Sequence, residues 1–190
     1  MKKMIVACVL MMLPLFGDEL QSLKEDLQTR VNAITGYLAN KTLNHGERNE
    51  KILATIEPVL DFTLMSKLSL DKNVRLKMSE EQLREFAILF EKELKESFLT
   101  KLENYSNEKI ELKNTAKTQS NRISIYSMIK GKGEDMEVIF KYYLAAENIW
   151  KIYDLEIAGV SLIQTYRTQF SEVMTNLGAV KLLEKLRTKQ

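Results

Sequence analysis

One acidic residue of the sequence has a position that could support catalysis. Asp154 lies in an apolar stretch between Tyr153 and Leu155. Burial would disfavour the charged carboxylate and raise its pKa, which would make Asp154 a candidate general base. Two structural alternatives remain open, because Asp154 could instead pair with a neighbour such as Arg167 or face water. Most other carboxylates fall on predicted polar faces of helices, where charges are normally solvated.

The residue types that metal and nucleophilic sites require are scarce. His45 is the single histidine and Cys8 the single cysteine, so a zinc site with several His or Cys ligands cannot form. A Ser-His-Asp triad would depend on His45 alone, which lies in a polar loop. Gly131 and Gly133 predict a turn, because the third glycine and the helix of a dinucleotide-binding loop are missing. We therefore predict no catalytic residue, no metal site and no cofactor.

The first 17 residues have the pattern of a secretory signal peptide. Lys2 and Lys3 precede an uncharged stretch, residues 4–16, and dense charge follows Gly17. This stretch is too short to cross a bilayer, which takes about 20 residues. We therefore predict residues 1–17 to be a signal peptide cleaved near Gly17. A lipoprotein signal ending at Cys8 and a buried N-terminal helix are the alternatives.

Length and charge narrow the class of protein further. The 190 residues, 45% of them apolar, suit one globular domain, which we place at residues 18–190. The net charge of +2 arises from the two lysines of the predicted signal. Because the remaining chain is charge-balanced, the basic face of a nucleic-acid-binding protein is not expected. That chain also has no cysteine, which suits an oxidising compartment.

Helical periodicity dominates both ends of the domain. Apolar residues recur every three or four positions over residues 19–40. Residues 46–70 predict further helix, bent or restarted at Pro58. Ser79 with Gln82 forms a capping box before a long helix that reaches about Tyr105. Ser161 with Gln164 forms a second capping box, which predicts the start of another helix. Gly178 either ends this helix or kinks it before a final basic helix. Residues 71–78 are polar and predict a loop.

The period changes to two in the middle of the chain, which indicates strands. The predicted strands cover residues 109–113, 122–126, 136–144 and 149–157. Their connections are too short for parallel crossovers, so the strands form an antiparallel meander. The fold class is therefore α+β, with an antiparallel sheet of about four strands packed with N-terminal and C-terminal helices.

The predicted sheet is apolar on more than one face. Phe140 and Tyr142 alternate with Ile139 and Tyr143 along one strand, and a similar pattern recurs around Ile152. An antiparallel sheet with one wet face would alternate more cleanly. Either helices cover both faces as solid core, or an apolar cavity for a ligand lies between the sheet and the helices.

The last strand and the helix after it carry a resemblance to a known family. Residues 150–154 read WKIYD, and residues 159–170 read GVSLIQTYRTQF. This combination closely resembles the signature of the MlaC family, the toluene-tolerance family of periplasmic phospholipid carriers. Weaker similarity extends upstream, but residues 70–75 lack the Gly-x-x-Trp element usual in the family. The matching positions are Gly159, Val160, Ser161, Leu162, Tyr166, Arg167 and Phe170.

The resemblance implies both a fold and a function. The expected fold is a nuclear-transport-factor-like cone with an internal apolar cavity that holds phospholipid acyl chains. The expected function is to shuttle phospholipid across the periplasm, with bound lipid as cargo and no enzymatic activity. The implied partners are an outer-membrane lipoprotein complex (MlaA-like) and an inner-membrane ABC-transporter complex with an MCE-domain ring (MlaD-like). An enzyme on the same fold that uses Asp154, or a secreted interaction module with a solid core, remains the alternative.

Strand register and helix faces indicate which residues would line such a cavity. We interpret Tyr166 and Arg167 first as structural, with Arg167 near Asp154, and second as contacts for a phosphate or a partner. The predicted lipid-binding residues are Phe62, Phe86, Phe90, Phe98, Ile125, Phe140, Tyr142, Trp150, Ile152 and Phe170.

Overall fold

The computed structural model describes residues 15–103, 108–131 and 133–188. The predicted signal peptide lies largely outside these residues, since residues 1–14 are not among them. The helices are α1 (Leu15–Ala39), α2 (His45–Ile56), α3 (Phe62–Leu68), α4 (Lys72–Arg75), α5 (Glu80–Glu103) and α6 (Leu162–Thr188). The strands are β1 (Lys109–Gln119), β2 (Arg122–Lys130), β3 (Met136–Leu144), β4 (Trp150–Ile157) and β5 (Val160–Ser161).

The strands form one antiparallel sheet in the order β1-β2-β3-β4-β5, which confirms the predicted α+β class. The fifth strand was not predicted, because its two residues are too few to show any periodicity. It follows a tight turn in which Ala158 and Gly159 both have positive φ, a conformation that is easy for glycine and unusual for alanine. This turn directs the chain from the sheet into α6.

A β-bulge explains why β4 has apolar residues at odd and even positions. The pairing shifts by one residue between Lys141 and Tyr142, so that Lys141 faces Asp154 while Tyr142 faces Ile152. Tyr153 is the extra residue, and a bulge of this kind reverses the alternation beyond it. Ile152 and Leu155 consequently lie on the same side of the sheet.

Two hydrophobic clusters hold the helices in place. The first packs α1 and α2 against the inner face of the sheet, around Leu27, Ile52 and Ile152, all fully buried. The second joins α3, α4, α5 and α6 without a strand at its centre, around Phe90 and Leu182. The helices of the first cluster thus cover the inner face of the sheet, and those of the second pack against one another.

Local signals fix several helix ends. The capping box at Ser79 forms as predicted, with the Gln82 amide donating to Ser79 Oγ at 3.1 Å and the Gln82 side chain accepting from the Ser79 amide at 2.9 Å. Pro58 ends α2 in a short 3-10 turn, because proline cannot continue the helical hydrogen bonding. Gly178 kinks α6 with a φ of 80°. Each of these features was visible in the sequence.

The segment predicted as the loop 71–78 contains α4 instead. Asp71 caps this helix, since its Oδ1 accepts from the Val74 amide at 2.9 Å. The segment is polar, and a helix of one turn has no apolar stripe that could reveal it. Across the described residues, no helix is long and apolar enough to span a membrane.

Candidate ligand-binding cavity

An apolar cavity of about 160 Å³ lies between the inner face of the sheet and the helices. Cavities of about 150 Å³ with aliphatic and aromatic walls stay dry and take up hydrocarbons. The wall is contributed by α1, α2, α3, α5, the first turn of α6 and three of the strands. Ile152, Leu155 and Ile157 provide its floor on β4, which is possible only because the bulge aligns them. The arrangement can therefore hold a small apolar group, such as one segment of an acyl chain.

Two of the cations on the cavity wall are already neutralised by the protein. Arg30 on α1 donates to Asp26 at 2.8 Å and to the Thr55 carbonyl at 2.6 Å, which links α1 to α2. Lys95 on α5 contacts Glu57 at 2.9 Å and Glu91 at 2.7 Å. Burial lowers the pKa of Lys95, but the hydrogen bonds that Lys95 donates to Glu91 and Glu57 outweigh this effect and leave the pKa above its usual value. These side chains stay charged and structural.

Two further polar residues on the wall have no such partners. Ser97 and Lys101 lie four residues apart on α5, and both line the cavity. Ser97 is half-buried and Lys101 is exposed, so Lys101 marks the rim where the cavity meets solvent. Neither side chain forms a hydrogen bond or an ion pair with any residue that the structure describes. Sequence reasoning missed both, because a polar residue on a helix is normally assigned to its wet face.

Four of the ten predicted lipid-binding residues lie on the cavity wall: Phe62, Phe98, Phe140 and Ile152. Contact with a lipid remains a prediction for them. The Lys95 ammonium lies 5.0 Å from the centre of the Phe62 ring, so one ring combines an apolar face on the cavity with a cation–π contact.

The other six predicted residues lie away from the wall. Phe86, Phe90 and Phe170 pack in the helical cluster, where Phe86 and Phe170 meet edge to face at 5.3 Å and Phe90 meets Tyr166 edge to face at 5.2 Å. They point between α5 and α6, because one helix can bury two stripes against different neighbours. Their packing accounts for their apolar character without a ligand.

Ile125, Tyr142 and Trp150 belong to the cluster between the sheet and α1. Ile125 and Tyr142 are sealed in this core, with at most 1% of either residue exposed. The Trp150 indole donates to Glu19 at 2.8 Å and so fixes the start of α1 on the sheet. Strand alternation had correctly given their face of the sheet but not their position along it.

Asp154 and Arg167 do not form the predicted pair. Asp154 accepts from Ser161 Oγ at 2.7 Å and from the Ile163 amide at 3.1 Å, which anchors the N-terminus of α6 to the sheet. Arg167 instead donates to the Leu68 carbonyl, with Nε at 2.7 Å. Both hydrogen-bonding patterns are structural, and neither residue lines the cavity. Among the described residues, the wall of the apolar cavity therefore offers no support for the general-base interpretation of Asp154.

The remaining wall residues were not predicted individually. Leu27, Val31 and Ile34 line the cavity from α1, and Leu53 and Ile56 line it from α2. The signal was present for Leu27, Val31 and Ile34, since these residues belong to the apolar stripe from which α1 was predicted. Periodicity identifies the buried face of a helix but does not separate core from cavity wall.

Comparison with known proteins identifies the family. The family model described as MlaC protein matches residues 28–188. The chain belongs to the MlaC family. No curated protein matches the sequence. The MlaC signature positions Gly159–Phe170 build the β4–β5 turn, β5 and the first turns of α6, which is where Asp154 anchors the helix.

A solved structure shares this MlaC fold. It is a phospholipid-binding protein from Ralstonia solanacearum in complex with a phospholipid, and it superposes with a TM-score of 0.73. The match covers 87% of this chain and 94% of that one at 21% sequence identity. At this identity the similarity establishes a common fold. Within the described residues, no group of three or more His, Cys, Asp or Glu side chains could hold a metal ion.

Proposed function

We propose that this protein is a periplasmic phospholipid carrier that holds an acyl chain in the cavity between α1, α2, α5 and the sheet. The single observation that carries the proposal is the almost wholly apolar wall of this cavity. Membership of the MlaC family and the phospholipid bound by the Ralstonia relative support it. The protein acts as a binding and transport component and performs no reaction on the lipid.

The energetics of chain burial constrain how such a carrier works. Burying a methylene group stabilises by about 0.8 kcal/mol, so releasing a sixteen-carbon chain into water would cost about 12 kcal/mol. Unassisted release is therefore very slow. Transfer takes place while the carrier is docked on a partner that accepts the chain directly.

The partners we propose are those of an Mla-type system that maintains lipid asymmetry of the outer membrane. One is an MlaA-like lipoprotein complex at the outer membrane, and the other is an MlaD-like MCE-domain ring of an inner-membrane ABC transporter. The signal peptide predicted at residues 1–17 supports periplasmic localisation. The charge balance of residues 18–190 agrees with docking on chosen proteins, since a basic excess would favour anionic membranes at large.

A transfer experiment tests the proposal. The purified protein is loaded with a fluorescent phospholipid and mixed either with plain vesicles or with vesicles that display the MCE-domain complex. We expect slow loss of lipid to plain vesicles and fast transfer to the decorated ones. Failure to load any phospholipid would contradict binding, and equally fast transfer to both vesicle types would contradict partner-dependent delivery.

A further inference from the structure

We propose that Ser97 and Lys101 form a phosphate-binding subsite at the mouth of the cavity. The ligand class is the phosphodiester headgroup of an amphiphile whose chain occupies the cavity. This inference rests on the proposed lipid-binding function and extends it from the chain to the headgroup.

The first argument is the state of the polar groups on the wall. Four residues that line the cavity have side chains that end in a polar group, namely Arg30, Lys95, Ser97 and Lys101, although the wall surface itself is almost wholly apolar. The two cations nearer the interior are held by Asp26, Glu57 and other protein groups. Ser97 and Lys101 are the two of these four whose side chains form no hydrogen bond or ion pair with a described residue. A ligand is the group that their hydrogen-bonding capacity can serve.

The second argument is geometric. Residues four apart on a helix lie on one face with their Cβ atoms about 5 to 6 Å apart. A hydroxyl donor and an ammonium at this separation can both reach the oxygens of one phosphate group, and a bond from the ammonium would be charge-assisted. Lys101 is exposed while Ser97 is half-buried. The headgroup would therefore lie at the rim, and the chain would extend inward past Phe98.

The third argument is the charge around Lys101. Glu103, the nearest acidic residue along α5, is engaged with His45 at 2.9 Å. No carboxylate lines the cavity, so an anion at the rim meets no acidic wall residue. The partial negative charge at the C-terminal end of α5 opposes an anion, and Lys101 offsets it.

Competition between two lipids with identical chains tests the subsite. Delipidated protein is offered equal amounts of phosphatidylglycerol and diacylglycerol, and native mass spectrometry measures which lipid is bound. We expect wild type to prefer phosphatidylglycerol about tenfold, as one charge-assisted hydrogen bond allows. Lys101→Gln should reduce the preference to less than about twofold, whereas Lys101→Arg should retain it.

Lys92→Gln is the matched control, because it removes the same charge from α5 at a position off the wall, where Lys92 contacts Glu96. It should leave the preference unchanged. A Lys101 that serves only the helix terminus would lower the melting temperature in Lys101→Gln without altering lipid preference, and this result would overturn the subsite. An equal loss of preference in Lys92→Gln would overturn it as well.

Two further outcomes separate this inference from the proposed function. Uptake of both lipids without preference overturns the subsite and leaves lipid binding intact, whereas uptake of neither lipid overturns both. Inorganic phosphate alone should show no saturable binding by ³¹P NMR, because the chain provides most of the affinity. Saturable binding of free phosphate that Lys101→Gln abolishes would overturn the headgroup assignment.

Discussion

Arg167 on α6 donates two hydrogen bonds to the backbone carbonyl of Leu68, the last residue of α3. The carbonyls of the last helical turn lack partners within the helix, and a guanidinium satisfies one of them here. The contact thereby joins a residue of the MlaC signature to a helix almost 100 positions away. Its function is to fix α6 against α3, behind the cavity.

Replacing Arg167 should therefore destabilise the protein without abolishing lipid binding. Arg167→Met leaves the Leu68 carbonyl unpaired, and hydrogen bonds to charged donors contribute about 1.5 to 3 kcal/mol each. Because the site is half-buried, we expect a loss of about 1 to 3 kcal/mol in the free energy of unfolding, measured by urea denaturation. Loss of lipid loading in a variant that remains folded would contradict the structural role.

Filling the cavity should block loading while the fold persists. Leu53 lines the cavity from α2, and its neighbour Ala54 is exposed on the same helix. Leu53→Trp places an indole in the space that an acyl chain would occupy, so binding of a fluorescent fatty acid should fall at least about tenfold. The control Ala54→Trp should bind normally. Normal binding in Leu53→Trp would exclude this cavity as the site.

The phenylalanines of the helical cluster and those of the cavity wall should respond differently to substitution by alanine. Phe90 is fully buried among rings of α5 and α6, so Phe90→Ala should cost about 3 to 5 kcal/mol of stability. Phe98 faces the cavity and is only partly buried, so Phe98→Ala should cost about 1 kcal/mol and mainly weaken lipid binding. Thermal unfolding and lipid titration of both variants give the comparison. If Phe90→Ala mainly weakened lipid binding while Phe98→Ala mainly reduced stability, the ligand would lie in the helical cluster.

Asp71 should contribute to acid sensitivity. A hydrogen bond from the Val74 amide and a second from Ser171 Oγ at 2.8 Å lower the pKa of Asp71 below its usual value. The ionised form thus favours the folded state: the stabilisation is complete above the unfolded pKa and is lost as the pH falls through the lower folded pKa. Urea denaturation from pH 6 to pH 2 should show wild type losing its advantage over Asp71→Asn. A constant difference across this range would contradict the linkage.

Local sequence signals predicted the elements well, because their causes are local. The capping box at Ser79, the break at Pro58 and the kink at Gly178 each depend on a few adjacent residues. The short elements α4 and β5 were missed because one helical turn and two strand residues have no measurable period. Antiparallel topology followed from connection lengths alone.

The candidate site was harder to predict, because it depends on which buried face meets which neighbour. Phe90 and Phe98 occupy similar positions in the apolar pattern of α5, yet one lies in a solid core and the other on a cavity wall. The partner of Arg167 is the backbone carbonyl of Leu68. The side-chain types in a sequence do not indicate where a backbone carbonyl points. Lys101 is distinguished only by its position at the rim.

Mass spectrometry of the protein purified from a Gram-negative host tests the central claim most directly. Native spectra, followed by organic extraction, give both the stoichiometry and the identity of any bound molecule. The account predicts about one phospholipid per chain, retained through purification because release of a buried chain is so unfavourable. A chain that is folded, retains its empty cavity and carries no phospholipid would contradict it.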